Sequence, residues 1–256
     1  MSPILFKLGS FTLYSYGLLM AVGVLVGLSV MTHEAKRYRW NVDQITRLYV
    51  FTFLMGLVGS RVVYVMTRLN EPNADILAML FNLRAGFVYY GGLIASWLYL
   101  VWYIKRHRLP TWAVSDVCSM AICLGLAVGR VGCTLGGCCY GSPTDMPWGI
   151  VMEKEAALGP LHPVQMYEAI FLVAIFVGFW IRRKTKAYDG EITVWFVGSY
   201  AVARFILEIY RGDLVRGFLV DDIMSTSQFI SLPLLAVAVL LHFRLRKKPV
   251  LKPAIA

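Results

Sequence analysis

Long apolar stretches constrain the fold of this chain more than any other feature. A transmembrane helix needs about 20 mainly apolar residues to cross roughly 30 Å of hydrocarbon. We assign seven such stretches to Leu13–Met31, Ile45–Met66, Phe87–Ile104, Val114–Val131, Met166–Ile181, Thr193–Tyr210 and Gln228–Phe243. The sequence therefore predicts an all-α membrane protein with about seven transmembrane helices.

Composition agrees with this assignment. Hydrophobic residues make up 58% of the chain and charged residues 16%, whereas soluble domains are about half apolar and a quarter charged. No Gly/Ser/Pro-rich linker divides the sequence, so we predict a single integral-membrane domain over residues 1–256. Residues 1–10 lack the basic segment of a cleavable signal, so the first span is expected to remain in the mature protein.

The distribution of positive charge predicts the topology. Sixteen of the 25 Lys and Arg residues lie in alternate loops and the tail, in groups that begin at Lys36, Lys105, Arg182 and Arg244. The other loops are richer in acidic residues. The positive-inside rule then places the N-terminus outside and the C-terminus in the cytoplasm. Topology and anionic lipid account for the net charge of +10, so no nucleic-acid partner is predicted.

Two of the outward loops are expected to be structured. One covers Gly132–Gln165 and is rich in Gly, Cys and Pro. The other, Glu71–Ala85, contains the apolar run Ile76–Phe81, which is typical of a short interfacial helix. We therefore expect the functional chemistry on the outer side.

Charged residues inside the spans are candidates for function, because burying a charge in hydrocarbon is costly. Arg61, Arg130 and Arg204 all fall toward the predicted outer half, and Glu208 shares a helix face with Arg204. Guanidinium groups bind phosphate through paired hydrogen bonds, and a phospholipid head group is the anion that a membrane supplies. The alternative is a structural Arg204–Glu208 pair with the other arginines reaching to the interface.

The segment Gly129–Gly141 is the most unusual in the chain. It holds five glycines, each of which costs a helix about 1 kcal/mol relative to alanine, so we predict a buried, ligand-facing loop. It also holds Cys133, Cys138 and Cys139. Packing, a disulfide, a reactive thiol and a metal site remain open for these cysteines. The metal is the least favoured of these, because the Cys-x4-Cys-Cys spacing matches no usual zinc motif, and we predict no metal here. We also predict no cofactor.

Several short motifs follow one another along the spans. They are Ser15-Tyr16-Gly17, Gly59-Ser60-Arg61 with Tyr64, Gly91-Gly92, Gly129-Arg130-x-Gly132 through Gly141, Pro147-Trp148, His162-Pro163-x-Gln165-x-Tyr167-Glu168, Tyr200-x3-Arg204-Phe205-x2-Glu208-x2-Arg211 and Ser227-Gln228-x2-Ser231-Leu232-Pro233. With them the chain resembles the prolipoprotein diacylglyceryl transferase family over nearly its whole length.

This resemblance implies an enzyme of the bacterial inner membrane. Such an enzyme takes the diacylglyceryl group from phosphatidylglycerol, or a related anionic phospholipid, and adds it to the lipobox cysteine thiol of a preprolipoprotein, releasing glycerol phosphate. The implied catalytic residues are Arg130, Arg204, Glu208, Tyr90 and Tyr16. The implied substrate-binding residues are Arg61, Tyr64, Gly91, Gly92, Cys133, Cys138, Gly141, His162 and Tyr200.

The chain departs from the family pattern on the acceptor side. Tyr90 stands where the family typically has the histidine of His-Gly-Gly, and Cys133 stands where it usually has asparagine. Gly136-Gly137-Cys138 replaces the usual Asn-Gly-Glu. Two alternatives to the family reaction therefore remain: a paralogue with the same lipid site and a cysteine-based reaction on another acceptor, or a lipid-binding protein without catalysis.

Overall fold

The computed structural model describes residues 4–8, 11–69, 76–81, 86–212, 218–220, 224–247 and 250. Helices dominate the part described. They are α1 (Ser15–Arg37), α2 (Val42–Arg68), α3 (Ile76–Phe81), α4 (Tyr89–Arg106), α5 (Thr111–Gly136), α6 (Val164–Arg182), α7 (Glu191–Ile209) and α8 (Thr226–Leu245). Side-chain caps begin two of them: Asn41 accepts from the Gln44 amide at α2, and Ser225 forms a capping box with Gln228 at α8.

Each predicted span overlaps one long helix. Six of the described helices (α1, α2, α5, α6, α7 and α8) are long and apolar enough to cross a membrane. The remaining span corresponds to α4, which is 18 residues long and less apolar because it contains four tyrosines and ends in Lys105-Arg106. The short helix predicted at Ile76–Phe81 is confirmed as α3. The orientation of the termini stays a prediction.

Short antiparallel hairpins make up the described β structure. β1 (Ile4–Leu8) pairs with β2 (Phe11–Tyr14), and β5 (Phe218–Val220) pairs with β6 (Met224–Ser225). Within the predicted structured loop, β3 (Ile150–Val151) pairs with β4 (Pro160–Leu161) around a 3-10 helix at Glu153–Leu158. The acidic loop positions Glu71, Asp75, Asp213, Asp221 and Asp222 lie outside the described residues.

The chain divides into two compact units, one covering residues 31–114 and the other residues 1–30 and 115–254. In the first unit, α2 and α4 pack through glycines. A Cβ on Gly59 would lie 2.6 Å from the Gly91 carbonyl oxygen, and one on Gly92 would lie 2.8 Å from the Gly56 oxygen. Small residues allow this approach of two helix backbones, which is how membrane helices gain packing contacts.

In the second unit, the predicted loop at Gly129–Gly141 is wrong for its first half, because α5 continues as a helix to Gly136. The glycines serve close packing against α1. A Cβ on Gly132 would lie 3.1 Å from Leu19 Cβ, and one on Gly125 would lie 3.0 Å from the Gly23 oxygen. The packing gained against α1 outweighs the helix propensity that the glycines lose.

A buried polar network holds the segment between α6 and α7 against the start of α5. Asp116 is 1% exposed. It accepts hydrogen bonds from Lys186 Nζ at 2.9 Å, from the Gly190 amide at 2.9 Å and from the Thr193 amide at 3.0 Å. This network lies 14 residues before Arg130 on the same helix, which is about 21 Å along its axis.

Candidate active site

A buried carboxylate joins two arginines in the second unit. Glu168, on the first turns of α6, is 1% exposed. One of its oxygens lies 2.9 Å from Arg130 Nη2 of α5 and accepts a 2.8 Å hydrogen bond from the Tyr200 hydroxyl of α7. Its other oxygen lies 4.0 Å from Arg204 Nη1. Side chains from α5, α6 and α7 therefore meet at the carboxylate of Glu168.

A second carboxylate orients Arg204 from its own helix. Glu208 lies one turn further along α7, and its Oε2 is 3.0 Å from Arg204 Nη2. The same nitrogen donates to Ser227 Oγ at the start of α8, at 3.2 Å. We call Arg130, Glu168, Arg204 and Glu208 the arginine–glutamate cluster.

The cluster has spare hydrogen-bond donors. Arg130 Nε and Arg204 Nη1 are buried and have no hydrogen-bond partner within the described part of the chain. The 4.0 Å from Arg204 Nη1 to Glu168 is too long for a hydrogen bond. Buried polar groups are rarely left unpaired, and each exception calls for an explanation such as a bound ion. Two guanidinium donors on neighbouring helices suit the oxygens of an anion such as a phosphate.

Three cysteines gather where α5 ends, and we call them the thiol cluster. The sulfur atoms of Cys133, Cys138 and Cys139 all lie within 4.8 Å of one another. The backbone turns back through positive φ at Gly137 (67°) and at Cys139 (65°). Gln165 of α6 fixes the turn by donating from Nε2 to the Cys138 carbonyl at 2.5 Å.

The surroundings of the thiol cluster act on the pKa of Cys139. Hydrogen bonds with Cys133 and then Cys138, followed by the positive charges of Arg211 and Arg130, lower the pKa of the Cys139 thiol well below its ordinary value. Tyr16 lies beside this helix end, because a Cβ on Gly136 would be 3.6 Å from Tyr16 Cβ. Tyr16 itself is exposed.

Gly141 and His162 lie together on the loop side of the site. The Gly141 amide donates to the His162 carbonyl at 2.9 Å, and a Cβ on Gly141 would lie 2.6 Å from both His162 Cβ and the Tyr210 oxygen. A larger residue than glycine has no room there. His162 Nδ1 is 3.1 Å from the Tyr167 hydroxyl, which also accepts from Trp148 Nε1 at 2.7 Å.

The other predicted site residues belong to the first unit, residues 31–114. Arg61 is 5% exposed. It donates to the carbonyls of Met79, Leu80 and Gly86, and its guanidinium lies 5.2 Å from the Tyr64 ring centroid. These contacts tie α3 and the start of α4 to α2. Gly91 and Gly92 make the helix packing described above. Tyr90 is exposed.

The family model described as prolipoprotein diacylglyceryl transferase matches residues 3–244. The chain belongs to the prolipoprotein diacylglyceryl transferase family. A protein of Clostridium tetani named phosphatidylglycerol–prolipoprotein diacylglyceryl transferase is 35% identical over 240 residues, covering 91% of this chain and 93% of the relative.

Two further relatives with the same name extend the comparison. The protein of Clostridioides difficile is 30% identical over 250 residues, covering 97% of each chain. The protein of Photobacterium profundum is 30% identical over 245 residues, covering 93% of this chain and 91% of the relative. This member of the prolipoprotein diacylglyceryl transferase family therefore matches these relatives over more than nine tenths of its length.

Four residues beside the two clusters were not among the site residues predicted for this transferase-family member, namely Glu168, Gln165, Ser227 and Arg211. Cys139 was named only among three cysteines whose role stayed open. Glu168 and Gln165 are both 1% exposed and lie three residues apart on one face of α6. The polar residues of His-Pro-x-Gln-x-Tyr-Glu at helical spacing, at the start of an apolar span, were the available signal.

Proposed function

We propose that this chain transfers the diacylglyceryl group of phosphatidylglycerol to the cysteine thiol of a prolipoprotein. The family match over residues 3–244 carries the proposal, and the names of the relatives at 30% to 35% identity support it. These names favour this reaction over a cysteine-based reaction on another acceptor and over lipid binding without catalysis.

The reaction exchanges a carbon–oxygen bond for a carbon–sulfur bond. The acceptor thiolate attacks the glyceryl carbon that is bonded to the phosphate oxygen. The C–O bond breaks, and its electron pair leaves with glycerol phosphate. Negative charge grows on the departing phosphate, so donors aimed at it lower the barrier. The spare donors of Arg130 and Arg204 are of the type that this step needs.

The other residues of the arginine–glutamate cluster position these donors. Glu168 holds Arg130 at 2.9 Å, and Glu208 holds Arg204 at 3.0 Å. Tyr200 completes the bonding of Glu168 at 2.8 Å. Tyr16 lies against the glycines of α5, and we expect it to contact the head group.

We assign the remaining predicted residues to substrate binding, apart from Tyr90, which stays a predicted catalytic residue. Gly141 and His162 would line the loop side of the site beside Cys133 and Cys138. Arg61, Tyr64, Gly91 and Gly92, which belong to residues 31–114, would bind the lipid or the acceptor peptide, and Tyr90 would act in catalysis at the position of the family's histidine.

The proposed location is the bacterial inner membrane. Basic residues end α1, α4, α6 and α8, as the positive-inside rule requires of cytoplasmic helix ends. The arginine–glutamate cluster then lies toward the outer leaflet, where a prolipoprotein presents its cysteine after translocation.

Labelled palmitate tests the proposal in cells depleted of their own transferase. Expression of this chain should restore label on a prolipoprotein, and Arg130→Lys should reduce it about 10²–10³-fold, because lysine lacks the paired donors of arginine. Arg182→Lys, in an ion pair at the other end of α6, is the matched control and should keep full labelling. An unlabelled prolipoprotein despite good expression of the unaltered chain would contradict the proposal.

A further inference from the structure

The backbone that carries the thiol cluster is held in a constrained conformation. Cys139 has φ 65° although it is not glycine, and this left-handed conformation is unfavourable for an ordinary residue. The Cys138 amide donates back to the Cys133 carbonyl at 3.1 Å, and Gln165, 1% exposed, holds the Cys138 carbonyl at 2.5 Å. Strained conformations persist where the surroundings fix them, and they concentrate at functional sites.

The sulfur positions suit a thiophilic metal ion. Three sulfurs bound to one zinc ion at about 2.3 Å each would be about 4 Å apart. The three sulfurs already lie within 4.8 Å and all three thiols are free, so only a small contraction is needed. Thiolates select zinc or copper(I) over hard cations such as Mg²⁺. Three protein ligands leave the fourth tetrahedral position of zinc open, which is the arrangement of catalytic rather than structural zinc sites.

The thiol cluster and the arginine–glutamate cluster occupy successive turns of the same two helices. On α5, Cys133 follows Arg130 by three residues. On α6, Gln165 precedes Glu168 by three, and Gln165 binds Cys138 while Glu168 binds Arg130. Residues at this spacing share a helix face, with their Cβ atoms about 5–6 Å apart. An ion at the thiols would therefore lie beside the donors proposed for the phosphate.

The charges are compatible with a divalent cation. Three thiolates and Zn²⁺ carry a net charge of −1. Arg130 lies one turn away on α5, and Arg211 is joined to the same loop through the β-bridge between Gly141 and Arg211. The two carboxylates of the arginine–glutamate cluster are already held in ion pairs with arginines, so they are poor candidates for taking a proton from an incoming thiol.

We infer that Cys133, Cys138 and Cys139 bind one zinc ion whose open position takes the acceptor thiol as a thiolate. This inference rests on the proposed function. A thiol that coordinates zinc loses its proton, here to water. The zinc-bound sulfur attacks the glyceryl carbon, the C–S bond forms, and the C–O bond breaks with its electron pair passing to the phosphate oxygen. Zinc keeps its oxidation state throughout.

Metal analysis of the full-length protein in detergent tests the site itself. After stripping with a chelator and reloading with Zn²⁺, the protein should hold one zinc per chain. Reloading with Co²⁺ should give the sulfur-to-cobalt charge-transfer absorption of thiolate ligands. Cys133→Ser, Cys138→Ser and Cys139→Ser should each lose the metal. Cys118→Ser and Cys123→Ser are the matched controls and should keep the metal, because Cys118 and Cys123 lie in α5, as Cys133 does, but outside the thiol cluster.

The cobalt spectrum also tests whether the metal binds the acceptor thiol. A peptide carrying one lipobox cysteine should shift the cobalt spectrum, and the same peptide with that cysteine changed to serine should not. Stripping zinc should lower transfer at least tenfold, and adding it back should restore the rate.

Each outcome decides one part of the inference. Absence of stoichiometric metal in the unaltered protein, or a disulfide within the thiol cluster under reducing purification, would overturn the zinc site. Bound metal that the cysteine peptide leaves unchanged, with full activity after stripping, would overturn its catalytic role. A zinc-loaded protein that binds the peptide but transfers no lipid would instead contradict the proposed function and leave the metal site standing.

Discussion

Replacing Glu168 by glutamine removes one charge from the centre of the arginine–glutamate cluster while keeping the size of the side chain. Glu168 is 1% exposed and carries the 2.9 Å ion pair with Arg130, the 2.8 Å hydrogen bond from Tyr200 and the longer contact with Arg204. The substitution leaves the guanidinium of Arg130 buried without its carboxylate. Breaking a buried ion pair in this way costs about 3–5 kcal/mol of the free energy of unfolding.

The effect on the rate should be separate from the effect on stability. Without Glu168, Arg130 is no longer held toward the phosphate, and loss of one oriented donor lowers a rate by about 10²–10³-fold. Initial rates of glycerol phosphate release, at saturating phosphatidylglycerol and normalised to folded protein, measure this effect. Unfolding titrations in mixed micelles, followed by tryptophan fluorescence, measure the stability.

Glu191→Gln is the matched control. Glu191 is also 1% exposed and accepts from Arg182 at 2.6 Å, at the opposite end of α6 and α7. The Glu191→Gln variant should be less stable than the unaltered protein but should keep the same rate per folded molecule. A full rate in Glu168→Gln would refute the reasoning. An equal loss of rate in Glu191→Gln would also refute it, because the loss would then reflect general disturbance of the helices.

Two further substitutions test the packing that supports the site. Gly59→Ala should destabilise the protein by about 1–3 kcal/mol, because the new Cβ would lie 2.3 Å from Ala95 Cβ. Gly178→Ala is the control and should leave stability unchanged, because its new Cβ would meet nothing within 4 Å. Equal unfolding midpoints for the two variants would contradict the contact between α2 and α4. Asp116→Ala should lower the free energy of unfolding by several kcal/mol yet leave the rate per folded molecule unchanged, and a selective loss of rate would place that network in the reaction.

The helices could be predicted from the sequence because hydrocarbon imposes a length and a composition on each span. Val164–Arg182, for example, coincides closely with its predicted apolar run, and the short helix Ile76–Phe81 was expected within its loop. The glycines of α5 could not be interpreted in this way. Helix propensity predicts a break at Gly129 or Gly132, and only the partner helix α1 explains why the helix continues to Gly136.

Part of the candidate site could be proposed from single residues of the sequence. Arg130 and Arg204 stand out because an arginine inside a span requires an anion. The central role of Glu168 was not evident, since it depends on α5 and α7 both approaching α6. The close approach of the three sulfurs of the thiol cluster was not evident either, because spacing along the chain does not reveal a turn with positive φ at Gly137 and Cys139.

One measurement tests the central claim most directly: mass spectrometry of a lipobox peptide incubated with the purified protein in phosphatidylglycerol vesicles. The account predicts that the cysteine gains one diacylglyceryl group through a thioether, that one glycerol phosphate is released per modified peptide, and that a serine peptide stays unmodified. An unmodified cysteine peptide, under conditions in which the Clostridium tetani relative modifies it, would contradict the account.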